Sequence, residues 1–108
     1  MLYLSAFFGR TVTHVSMDDK TILKFSDFSM IFLTRIDYFS DSLNNFVGQK
    51  FLYIQKHDNS VHFHFSSELY LSVEVDPSSD NFPQYMMLRS KEKEMVLRID
   101  DGKAFDDA

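Results

Sequence analysis

Apolar side chains recur at every second position through several stretches of the chain. Val61, Phe63 and Phe65 alternate with His62 and His64, and Leu23 and Phe25 flank Lys24 in the same rhythm. A period of two sends neighbouring side chains to opposite faces of a strand, so these runs predict half-buried β-strands. They are separated by polar breaks at residues 17–20, 57–60, 26–27 and 66–67, where Asp, Asn, Ser and Lys favour turns.

The pattern recurs along the chain. At an offset of 39, Leu4, Phe7, Phe8 and Gly9 fall on Leu43, Phe46, Val47 and Gly48, and Val12 and Val15 fall on Phe51 and Ile54. One extra residue then brings Leu23 and Phe25 onto Phe63 and Phe65, and the same alignment continues with Ile31 on Leu71 and Leu33 on Val73. Each unit reads as a short helical turn ended by Gly, followed by three strands, the third predicted at 30–36 and at 70–75. A three-stranded piece leaves its apolar face wet, so the two units are expected to pair around one core.

The fold class predicted is mostly β (α+β): antiparallel sheets from two tandem repeats, 4–37 and 43–76, with a C-terminal hairpin at 84–99. Residues 1–100 are expected to form a single β-rich domain and 101–108 an acidic tail. Ser40, Asp41 and Ser42 ahead of Leu43 predict a capped helix of about two turns with an acidic first turn. Asp76 to Pro83 reads as the longest loop. A helix over 90–97 competes with the hairpin, because Lys91, Glu92, Lys93 and Glu94 are good helix formers.

Composition narrows the functional classes. With 108 residues the chain suits one domain, and its 12 Phe and 5 Tyr supply a core without disulfides. The absence of Cys removes thiol nucleophiles and Cys-based zinc sites, and fits a reducing compartment. The apolar opening of the chain lacks the basic start of a secretory leader, and no apolar stretch approaches the ~18 residues of a membrane span; a cytoplasmic location is expected. A net charge of −5 opposes direct binding of nucleic acid and favours a basic partner.

Candidate chemistry is sparse. His62 and His64 share one strand face and are the only metal candidates; His57, His14 or Glu68 would have to complete a site. The simpler reading is two solvent-facing histidines of an amphipathic strand. An acid–base pair of these histidines, with Lys50 or Lys56 at a phosphate, is a rival reading that the acidic surroundings disfavour. Nucleophile elbows and phosphate loops are absent, so no catalytic residue is assigned, no enzyme activity is expected and no cofactor is implied. Asp18 and Asp19 in the first turn, and Asp76, Asp80, Phe82 and Tyr85 in and beside the long loop, combine acidic and aromatic character suited to a basic protein partner. Met86, Met87, Phe28, Phe32, Tyr38 and Phe39 raise the question of apolar surface left over for a partner or for a homodimer.

The segment from Val47, Gly48, Gln49, Lys50 and Phe51, through the alternation at 61–65, to Leu71, Val73, Val75 and Asp76 resembles small bacterial immunity proteins, including those of contact-dependent growth inhibition systems. That resemblance implies a cytoplasmic protein that binds a cognate toxin, often a nuclease with a basic surface, and blocks its active site or substrate path. It brings no fixed functional residues, so the interface candidates rest on charge and placement. The alternatives are a homo-oligomeric interaction module and a small His-dependent metal-binding or hydrolytic protein.

Overall fold

Alternation at the sequence level becomes two antiparallel sheets. The computed structural model describes residues 7–33, 36–38, 41–57, 60–74, 85–91 and 94–98. Strands β1 (Val12–Met17), β2 (Thr21–Phe25) and β3 (Phe28–Phe32) form a meander, and β5 (Phe51–Lys56), β6 (Ser60–Phe65) and β7 (Tyr70–Glu74) form another. Each gains one partner from elsewhere on the edge of its third strand. The pair β8 (Tyr85–Ser90) and β9 (Glu94–Arg98) extends β3, and the short β4 (Asp37–Tyr38) lies on β7. The strand orders are therefore β1-β2-β3-β8-β9 and β4-β7-β6-β5.

The hairpin expectation holds, with strand rather than helix at Glu94–Arg98; pairing of Met87 with Val96 and Leu88 with Met95 replaces the helical alternative. Three expectations are corrected. The helix before the second meander is a single 3-10 turn, Leu43–Phe46, capped by Ser42, whose hydroxyl accepts from the Asn44 backbone N–H. Its first turn holds no acidic residue, because Asp41 precedes the cap. The third strand of the first meander ends at Phe32 rather than 36, and the chain then reaches the other sheet, where Asp37 and Tyr38 pair with Ser72 and Leu71. Finally, paired registers set Met30 opposite Leu23 and Leu71 opposite Phe63, so Leu71 corresponds to Met30, not Ile31, and Val73 to Phe32, not Leu33. The second meander accommodates that extra residue in a turn where Ser67 and Glu68 both adopt φ of 61°.

Where the meanders begin, β1 and β5 grip each other. Thr11 and Lys50 form an antiparallel bridge. The Gly9 N–H donates to the Phe51 carbonyl and the Gly48 N–H to the Val12 carbonyl, while Val12 donates to Gln49 and Phe51 to Arg10. Gly9 and Gly48 sit at φ of +87° and +88°, a region in which a side chain meets its own backbone. Each strand then carries a register shift at the matching place, between Val12 and His14 and between Phe51 and Tyr53. Such a bulge re-aims the residues after it.

One cluster of buried side chains draws on both sheets: Leu23, Met30, Phe32, Met86 and Leu88 from the first, Phe51, Val61, Phe63, Phe65, Leu71 and Val73 from the second. Phe32 meets Phe63 edge-on across the gap, with ring centroids 5.2 Å apart. Phe46, from the 3-10 turn, stands edge-on to Phe65 and is fully buried. Phe28, Phe32 and Met86 are thus core residues and offer no partner surface, whereas Met87 and Tyr38 are half-buried. Phe39 lies outside the described residues. Among the described residues no helix is long and apolar enough to cross a membrane.

Candidate functional site

Two surfaces gather the residues singled out from the sequence. The first is the outer face of the second sheet. Alternation in β6 buries Val61, Phe63 and Phe65 and turns His62 and His64 outward. The β5 bulge sets Tyr53 opposite His64, and β7 places Tyr70 on its other side. Tyr53 stacks on His64 at 4.4 Å between ring centroids, and His64 lies 5.3 Å from Tyr70. His62 stands 5.0 Å from Tyr70, and His57 lies 4.2 Å from His62. Five rings thus run without a break over three strands and the start of the β5–β6 connection, where His57 lies.

Polar neighbours hold the imidazoles. His62 Nε2 is 3.3 Å from the Ser60 hydroxyl, and His64 Nε2 is 3.2 Å from Gln55 Oε1. Burial lowers the pKa of both rings from the ordinary 6.5; the His57 imidazole adds to this for each, and His64 adds to it for His62. A lowered pKa leaves neutral rings, the form that ligates metals. Among the described residues, however, no group of three or more His, Cys, Asp or Glu side chains is placed to hold a metal ion. His14 is in the other sheet, exposed and beside Thr13. Glu68 lies in the β6–β7 turn.

The second surface lies at the far end of the first meander. Met17, Asp18, Asp19, Lys20 and Thr21, with Leu33 and Ile36, line a cleft of about 460 Å3. Met17 is 52% exposed and Leu33 38%, so this cleft presents apolar side chains to solvent beside two aspartates. A second cleft of about 290 Å3 shares Met17 and continues along Val15 and Ser16 to Tyr38, Ser42, Leu43 and Asn44. Asp18 and Asp19, read from the sequence as partner contacts, line the first of these clefts. Leu33 and Ile36 were not foreseen there, since the sequence assigns both to a single strand; the early end of β3 is what brings them to the turn.

The remaining candidates divide differently. Tyr85 begins β8, and its backbone pairs with Arg98. Asp76, Asp80 and Phe82 lie outside the described residues. The structure therefore brings Asp18 and Asp19 together on one cleft, and His62 and His64 together on a separate face. Comparison with known proteins yields no matching protein family, no matching curated protein and no matching solved structure.

Proposed function

We propose that this chain is a protein-binding module that neutralises a cognate toxin, as an immunity protein does, by covering a basic surface of that toxin. The observation that carries the reading is the cleft at the β1–β2 turn. Its apolar walls, Met17, Leu33 and Ile36, suit the aliphatic stem of a Lys or Arg, while Asp18 and Asp19 suit the charged head. An overall charge of −5 steers the same kind of partner. A toxin that cleaves nucleic acid must carry a basic site, and an acidic cover excludes its phosphates.

Co-expression with a candidate toxin domain, sought among the genes beside this one, is the direct test. Growth should be restored by the intact chain and the two proteins should co-purify. A folded, abundant chain that leaves the toxin active would remove the proposal.

A homo-oligomeric module is the second reading, and one observation favours it. Cross-strand pairing lines up Ile22, Ile31, Met87 and Val96 on the outer face of the first sheet. Val96 is 53% exposed there. Sedimentation velocity separates the two: a dimer weakened by Val96→Lys supports the module, and a monomer at all concentrations leaves the toxin-binding reading.

A further inference from the structure

Three consecutive residues of β1, Val15, Ser16 and Met17, line the second cleft. Successive side chains of a strand point to opposite faces, so a cleft touching all three borders the strand's edge rather than either face. Among the described residues that edge is the open one, because β1 is the outermost strand of its sheet and β2 occupies its other side. The grip of β5 on β1 ends at Val12, and beyond it no described strand pairs with the outward edge of Thr13–Met17. An unpaired edge presents backbone N–H and C=O groups in strand geometry. Met17 then joins this edge groove to the cleft that carries Asp18 and Asp19.

We propose that the open edge of β1 is a docking track for an extended, basic segment of a partner protein, which adds a strand outside β1 and sets a Lys or Arg into the Asp18–Asp19 cleft. The inference rests on the neutralising-binder reading and specifies its mode. Strand addition takes its affinity from main-chain hydrogen bonds and its specificity from pockets for alternate side chains. Val15, Tyr38 and Leu43 supply an apolar wall on the core side of the track. Charge selects the occupant. Asp18, Asp19 and the exposed Asp41 near the Ser42 end outnumber Lys20, so an acidic segment is repelled.

The test is NMR on the isotope-labelled full chain, titrated with a synthetic peptide of about eight alternating Lys and Val residues, and separately with its Glu/Val counterpart. The Lys/Val peptide should shift amide signals of residues 13–20 and 42–44 in a saturable manner and slow hydrogen exchange along β1; the Glu/Val peptide should do neither. The double variant Asp18→Lys, Asp19→Lys should weaken binding roughly tenfold or more, with core amide signals unchanged as proof of folding. Met17→Lys, at the junction of the two clefts, should act in the same direction. Shifts centred on another surface, equal response to both peptides, peptide-independent pairing of two chains through β1, or no response at millimolar peptide overturns the inference. Rescue in cells separates the two claims. If the double variant still neutralises the toxin, the track is refuted and the function stands; if the intact chain fails to neutralise while the peptide follows β1, the reverse holds.

Discussion

At the scale of single residues, the imidazoles and the glycines make the sharpest demands. Protonation of His62 and His64 is opposed in the fold by burial and by neighbouring imidazoles, whereas the unfolded chain protonates them normally near pH 6.5. The unfolded state therefore binds more protons in the interval below 6.5. Stability from this source is complete above that pH and is lost as pH falls from 6.5 through the lower folded values. Thermal unfolding followed between pH 7.5 and 5 should show a lower midpoint on the acid side, and His62→Gln with His64→Gln should flatten that part of the profile. An unchanged profile would mean that the rings titrate as they do in water. Gly48 tests a different force. A Cβ there meets no atom within 4 Å, so Gly48→Ala is opposed only by the left-handed backbone, at about 1–2 kcal/mol in denaturant unfolding. Phe63→Ala, at a fully buried ring, should cost about 3–5 kcal/mol.

At the scale of elements, the β6–β7 turn holds a recoverable strain. Ser67 and Glu68 occupy the left-handed region without being glycine, and both are exposed. Ser67 is tied down, since its hydroxyl donates to Gln49 Oε1 at 2.9 Å, beside the Ser66 hydroxyl at 2.7 Å. Glu68→Gly should therefore raise stability by roughly 0.5–1 kcal/mol, the relief of left-handed strain less the entropy a glycine adds to the unfolded chain. A fall in the melting midpoint would show that the Glu68 side chain supports the turn. This turn also explains why the alignment of the two halves slipped by one residue. Ile31 and Leu71 are both apolar, so hydrophobicity could not distinguish that pairing from Met30 with Leu71. The hydrogen-bond register could, because a shift of one residue changes the face.

At the scale of the whole molecule, neither meander closes its own core. Phe32 and Phe63 touch across the sheets, β4 leaves the first half to pair with the second, and the backbone bonds at Gly9 and Gly48 join the two starts. Fragments 1–39 and 40–108, expressed separately, should each lack the circular dichroism of a folded sheet protein and a cooperative melt. A cooperative transition from either alone would show that the shared core is dispensable. The acidic charge acts at this scale too. Association with a basic partner should slow as salt rises, because steering between exposed charges is screened beyond about 8 Å at physiological ionic strength.

Periodicity and turn composition determined the β class, the inward set Val61, Phe63 and Phe65, the outward histidines and the final hairpin, because each follows from alternation within a few neighbouring residues. The charge and the turn at Asp18 and Asp19 were equally legible. Tertiary structure alone decided where β3 stops, which sheet receives Asp37 and Tyr38, and which residues share a surface with those aspartates. Those outcomes depend on long-range pairing and on one residue of turn length, and a local pattern of apolar and polar side chains is the same on either side of such a choice. Likewise, Tyr53 and Tyr70 join His64 only through a bulge and a register, which bring together residues that sequence spacing leaves unrelated.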